Sequence, residues 1–73
     1  MNQHYTMIIR WSDEDKKYIV SLPEWEAVGL MGHTAGQTYE EAARMGQDLI
    51  DGLIEGFKAD GKPLPQPDIF VAA

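Results

Sequence analysis

The chain has 73 residues, with twelve Asp and Glu against six Lys and Arg, a formal net charge of −6 and no cysteine. A chain of this size buries only about 60% of its unfolded surface, so residues 1–73 make a single domain near the lower limit for folding alone. The lack of cysteine excludes disulfides and thiolate metal sites, which leaves self-association as a staple, and the acidic balance argues against binding nucleic acid.

A small, unstapled chain of this kind suits a reducing cytoplasm. The N-terminus has no basic run followed by an apolar one, and no signal peptide is expected. No window approaches about 18 consecutive apolar residues, so no membrane span is expected either. The negative charge is compatible with a basic protein partner, although solubility alone is the plainer account of it.

Tyr5, Met7, Ile9 and Trp11 alternate with Thr6, Ile8 and Arg10, a period of two in β-branched and aromatic types that predicts a strand over residues 5–11. Ser12, Asp13, Glu14, Asp15, Lys16 and Lys17 offer turn formers and charges without an apolar anchor, hence a solvated hairpin loop. Residues 18–22 (YIVSL) form the return strand, which Pro23 ends because it has no amide hydrogen for a ladder. Ile8 and Ile19 point away from the row that runs from Tyr5 to Trp11. The hairpin is therefore apolar on both faces, and a single helix covers only one of them. The other face is left for another chain. Trp11 is expected in the core, whereas Trp25, between Glu24 and Glu26, suits either the core or an interface.

Val28, Leu30 and Gly32 alternate with Gly29, Met31 and His33, which permits a third strand weakened or bulged by its glycines. Residues 34–37 (TAGQ) then form a loop. Thr38 is a good N-cap, Glu41 completes a capping box, and Glu40 with Glu41 suits the positive end of a helix dipole. Ala42, Met45, Gly46, Leu49, Ile50, Leu53, Ile54 and Phe57 recur at helical spacing on one broad face. Gly46 inside that stripe reads equally as a close approach by a strand or as simple tolerance. Asp60, Gly61 and Pro63 stop the helix. Residues 64–67 (LPQP) are stiff and extended, and residues 68–72 (DIFVA) predict a last strand.

Little in the chain points to chemistry. His4 and His33 stand at no metal-ligand spacing and read as polar strand-end residues. Asp13, Glu14, Asp15, Glu24 and Glu26 fall in loops or at strand ends, where nothing sequesters them for acid–base work. Gly29, Gly32 and Gly36 precede the helix without a phosphate-cradle pattern. Ser12 and Ser21 sit in no nucleophile elbow. No catalytic, cofactor or metal site is expected, and the chain reads as a binding module. Charge and exposure single out Asp13, Glu14, Glu24 and Glu26 for partner contact, with Trp25 as a possible anchor.

The order of these segments resembles the HicB-like family, antitoxins of bacterial type II toxin–antitoxin pairs. A first strand like residues 5–11 (YTMIIRW) is followed there by an acidic turn. A second strand like residues 18–22 leads into a Pro-acidic pair, here Pro23 and Glu24. The helix then opens as at residues 38–42 (TYEEA) and ends as at residues 60–65 (DGKPLP). The likeness spans nearly the whole chain. It implies an α+β module of order β-β-β-α-β, a small mostly antiparallel sheet with one helix packed on one face. The last strand would return beside the first, a partial RNase H-like fold. It also implies a non-enzymatic role: binding a small basic toxin of the HicA type, an mRNA-cleaving ribonuclease, and occluding its RNA-binding surface.

Two departures from the family pattern stand out. A Pro-Gly turn commonly follows the Pro-acidic pair, whereas residues 25–29 here read WEAVG and the segment to Thr38 is several residues longer. Family antitoxins usually continue into a DNA-binding domain; none precedes Ala73, so operator binding is not expected of this polypeptide by itself. Nuclease activity is not implied, because the carboxylate cluster for two metals is missing. The competing readings are a stand-alone homo-oligomer, dimer or tetramer, whose uncovered sheet face pairs with itself, and a hydrolase using the loop carboxylates.

Overall fold

The computed structural model describes residues 4–30 and 32–71. Strands β1 (Ile8–Ser12) and β2 (Lys17–Ser21) form the expected antiparallel hairpin, with Ile9 opposite Val20 and Trp11 opposite Tyr18. The turn closes through Lys16, at φ 56°, whose amide donates to the Ser12 carbonyl at 2.8 Å. A third strand, β3 (Thr34–Gly36), pairs antiparallel with the free side of β2, giving the sheet order β1-β2-β3. The class is α+β, a small antiparallel sheet with a helix packed on it.

The first strand begins at Ile8 rather than Tyr5 because the residues before it have other partners. The Tyr5 hydroxyl donates to the Pro65 carbonyl at 2.7 Å, and the Thr6 amide donates to the Glu24 carboxylate at 3.1 Å.

Pro23 does more than end a strand. It opens a short helix, α1 (Pro23–Ala27). A proline in the first helical turn has its φ already set and lacks a donor that would have no partner there. The amides of Trp25 and Glu26 close the turn on the Leu22 carbonyl at 3.1 and 3.0 Å. This helix displaces the third strand expected from Val28 to His33. Val28, Gly29 and Leu30 donate to carbonyls of α1, and Gly29 takes φ 93°, a left-handed conformation that extended chain does not continue through. The ladder resumes only at Thr34, in the segment expected to be a loop; Met31 lies outside the described residues.

Helix α2 (Tyr39–Ala59) is capped as its sequence requires. The Thr38 hydroxyl accepts from the Glu41 amide at 3.0 Å, one half of the expected capping box, while the Glu41 carboxylate accepts from the amide of Gln37, one residue before the N-cap amide that the box would engage. At the far end Gly61, at φ 70°, allows Lys62 to donate back to the Phe57 carbonyl at 2.9 Å and Gly61 itself to Lys58 at 3.1 Å. That double closure satisfies carbonyls the helix leaves free.

The apolar stripe of α2 lies on the sheet face that carries Ile9 and Val20. Val20, Leu22, Trp25, Ala42, Ile50 and Ile54 form the buried core, and each large member contributes about 1.5–3 kcal/mol by leaving water. Of the two readings of Gly46, close approach is the one realised. A Cβ there would stand 2.6 Å from Met7 Sδ and 3.0 Å from Val20 Cγ1. On the opposite face, with Arg10 and Ile19, Ile8 remains 41% exposed.

Residues 68–71 form no ladder with β1; Ala72 lies outside the described residues. Pro65 and Pro67 have no amide to give, and the Asp68 amide is bound to Glu24. The radius of gyration is 12.9 Å, against roughly 11 Å for a compact domain of this length. The expansion agrees with an exposed tail and a sheet that is only partly covered.

Candidate functional site

The residues singled out for partner contact divide sharply. Asp13 and Glu14 lie exposed in the hairpin turn with Asp15, and Glu26 is half-buried on α1. Asp13 pairs with Lys16 at 3.1 Å, a contact between exposed groups that contributes little.

Glu24 does not have the exposure expected of it, and of the two readings of Trp25 the core is the one realised. Trp25 is 1% exposed. Its indole packs 5.1 Å from the Tyr5 ring and 5.0 Å, edge on, from Phe57. Its Nε1 has no hydrogen-bond partner among the described residues, so packing alone holds it. The contacts of Trp25 come from the N-terminal segment and the end of α2, far from it in sequence.

Glu24 is 7% exposed and serves as an internal acceptor. It receives the Thr6 hydroxyl at 2.8 Å, the Thr6 amide at 3.1 Å and the Asp68 amide at 2.9 Å. Burial pushes its pKa up, but the Asp68 amide, the Thr6 hydroxyl and further backbone donors outweigh that and hold it below the usual 4.5. Burial and then the charge of Glu24 raise the Tyr5 hydroxyl above its usual 10.0. Glu24 and Asp68 border an open groove of about 350 Å³ with Pro23, Val28 and Pro65. There the Glu24 carboxylate is committed to backbone donors and has no proton to give.

The structure assembles a surface that the sequence reading did not. Trp11 lies 5.1 Å from Tyr18 at an edge-on 67°, and Tyr18 lies 4.3 Å from Tyr39. The register supplies the first contact, since Trp11 and Tyr18 are cross-strand partners. The helix cap supplies the second by delivering Tyr39 as the first residue of α2. Trp11, expected in the core, is 49% exposed and Tyr39 is 64% exposed. α2 begins beside this end of the sheet and runs away from it, so Trp11 keeps one face in water.

Acidic side chains border the row. Asp13 follows Trp11 closely, with its Oδ1 3.5 Å from Trp11 Nε1; Glu14, Asp15 and Glu40 are exposed nearby in the chain. A row of three aromatic rings, its two outer members Trp11 and Tyr39 half or more in water, beside a turn that carries Asp13, Glu14 and Asp15 with Lys16 and Lys17, suits recognition of a partly apolar protein surface.

Among the described residues, no three His, Asp or Glu side chains come together to hold a metal ion, and no helix is long and apolar enough to cross a membrane. No family model, no curated protein and no solved structure matches this chain.

Proposed function

We propose that the chain is a non-catalytic binding module of the HicB-like antitoxin type, with a partial RNase H-like architecture. It binds a small basic ribonuclease toxin in the cytoplasm and blocks the surface that the toxin uses for RNA. The observation that supports this reading is the row in which exposed Trp11 and Tyr39 flank Tyr18, with Asp13 beside Trp11 and Glu14, Asp15 and Glu40 exposed nearby in the chain.

A toxin that grips RNA presents Lys and Arg where phosphates sit. Asp13, Glu14, Asp15 and Glu40 offer carboxylates in place of those phosphates, and the net charge of −6 adds long-range attraction that speeds encounter. The aromatic rings supply buried apolar contact at the centre, where few residues carry most of the binding free energy. Blockage then needs no reaction. The module inhibits by occupying the site.

Co-expression with the product of each small basic reading frame beside this gene tests the proposal. The expected result is a stable complex and rescue of growth from the toxin, with both lost when Trp11 and Tyr39 are replaced by alanine. Failure to bind or neutralise any such neighbour sinks the antitoxin reading.

A further inference from the structure

We infer that the groove between α1 and the segment after α2 receives an arginine side chain of a basic protein partner, whose apolar neighbours cover Ile69 and Phe70. The inference rests on the reading of a basic partner given above. It adds a contact none of whose residues belongs to the aromatic row.

The groove holds about 350 Å³ and is walled by Pro23, Ala27, Val28 and Pro65, while its charged members, Glu24 and Asp68, are both acidic. Apolar walls suit an aliphatic stem, and a stem that ends in a charge is what Lys and Arg offer. The lining selects the sign of that charge.

Glu24 makes the selection strong. It is 7% exposed, and the hydrogen bonds it accepts come from uncharged groups, the amide and hydroxyl of Thr6 and the amide of Asp68. Its Oε1 receives the Thr6 amide at 3.1 Å, a donor that Oε2 shares, so this oxygen keeps acceptor capacity. Among the described residues no cation pairs with Glu24; the ion pair found there joins Lys16 to Asp13. Buried charges ordinarily have a counter-charge, and here the groove is where one enters. His4 borders a neighbouring depression and not this one. Asp68, exposed at the rim, supplies a second carboxylate. A guanidinium, with its planar fork of donors, suits acceptors split between two carboxylates better than a point-like ammonium does.

The surface beside the groove points to a protein as the source of the cation. Asp68 also borders the neighbouring depression with Tyr5, Ile69 and Phe70, where Ile69 is 62% and Phe70 90% exposed. Contiguous apolar surface rimmed by polar groups marks protein contacts, and a small free cation would leave it bare. The walls are also held in advance. The Tyr5 hydroxyl fixes the Pro65 carbonyl at 2.7 Å and Glu24 fixes the Asp68 amide at 2.9 Å, which lowers the ordering that binding costs.

The test titrates the isotope-labelled chain with the blocked peptide acetyl-Leu-Arg-Leu-amide, followed by amide chemical shifts. The same peptide with citrulline for arginine keeps the shape and removes the charge; agmatine presents the guanidinium without a peptide. The arginine peptide is expected to move the amides of Val28, Asp68 and Phe70 saturably. Citrulline should weaken it roughly tenfold or more, as loss of a charged hydrogen-bond partner does, and agmatine should also bind more weakly. Asp68→Asn keeps the backbone amide that Glu24 holds, so the fold persists by circular dichroism, yet it should weaken the arginine peptide and leave the citrulline peptide unchanged. Four results would overturn the proposal: no saturable shift, equal affinity for the citrulline peptide, shifts centred on Asp13 to Asp15, or agmatine binding as tightly as the peptide. The last would assign the groove to a free cation. Because the chain is titrated alone, a neutralised toxin without an arginine effect would sink this groove and keep the antitoxin reading. Arginine-peptide binding without any toxin complex would do the reverse.

Discussion

Glu24 Oε2 accepts the amide hydrogen of Asp68 at 2.9 Å across 44 positions of sequence, and the same carboxylate accepts the amide and hydroxyl of Thr6. One side chain at the start of a five-residue helix thus ties the segment before β1 to the segment after α2. Glu24→Ala leaves these part-buried donors without an acceptor, a loss of about 3 kcal/mol given that bonds to a charged group are stronger than neutral ones. Urea denaturation should register it, and hydrogen exchange should show the Asp68 amide losing protection before the amides of β2. Equal protection at Asp68 in both proteins would show that the clamp is not what holds the tail.

The same clamp gives a pH dependence of known sign. Its donors hold the folded pKa of Glu24 below 4.5, the ordinary value. The unfolded state therefore binds a proton first as pH falls, and stability from this group, fully present above about pH 4.5, is lost as pH drops through the folded value. Glu24→Gln keeps an acceptor oxygen but removes the titration. It should be less stable than the native chain at pH 7 by about 1–2 kcal/mol, with the gap narrowing towards pH 3. A gap that stays constant between pH 7 and pH 3 would rule out Glu24 as the source of acid sensitivity.

What the sequence revealed depended on the range of the forces involved. The hairpin follows from alternation around a turn of charges, and α2 from Thr38, Glu41 and Gly61 acting within a few residues of themselves; both were legible. Pro23 was ambiguous, since a missing amide hydrogen ends a strand and suits a first helical turn equally well. The choice between these came from Trp25, whose burial against Tyr5 and Phe57 favours a helix at that point. Those partners lie far off in sequence, and so the choice between core and interface for Trp25 stayed open, while the burial of Glu24 by Thr6 and Asp68 was hidden. Tyr39 was passed over for a similar reason: its neighbour Tyr18 is set by where α2 lands on the sheet.

The glycines separate close packing from tolerance. A Cβ at Gly36 would meet the backbone of Ala42, standing 2.8 Å from its Cα, where no flexible atom can yield. At Gly46 the obstacle is the thioether of Met7, which adapts readily, together with the buried Val20. Gly52 has nothing within 4 Å. Gly36→Ala should therefore cost about 3 kcal/mol, the upper range for overpacking. Gly46→Ala should cost about 1 kcal/mol, since gained helix propensity offsets part of the crowding, and Gly52→Ala should stabilise by up to about 1 kcal/mol. Thermal midpoints measured side by side test this order. Finding Gly36→Ala as stable as the native chain would mean that α2 is free to shift on β3.

The aromatic row should carry binding without carrying the fold. Trp11 and Tyr39 keep about half or more of their surface in water, at 49% and 64% exposed, so truncating either costs far less than the about 3–5 kcal/mol of a buried aromatic such as Trp25. Trp11→Ala and Tyr39→Ala are expected to lower unfolding stability by about 1 kcal/mol each, through the ring contacts with Tyr18. For a basic partner they should weaken affinity by at least about 2 kcal/mol each, as central anchors do. The rim should behave differently. Asp13→Lys with Glu14→Lys reverses charge where both side chains are exposed, and long-range attraction acts mainly on encounter. Stopped-flow association at low and high salt should show a slower on-rate for this double variant at low salt that converges on the native rate as salt screens the charges. Alanine variants that unfold the chain, or charge reversal that leaves association unchanged at low salt, would locate the binding surface elsewhere on the molecule.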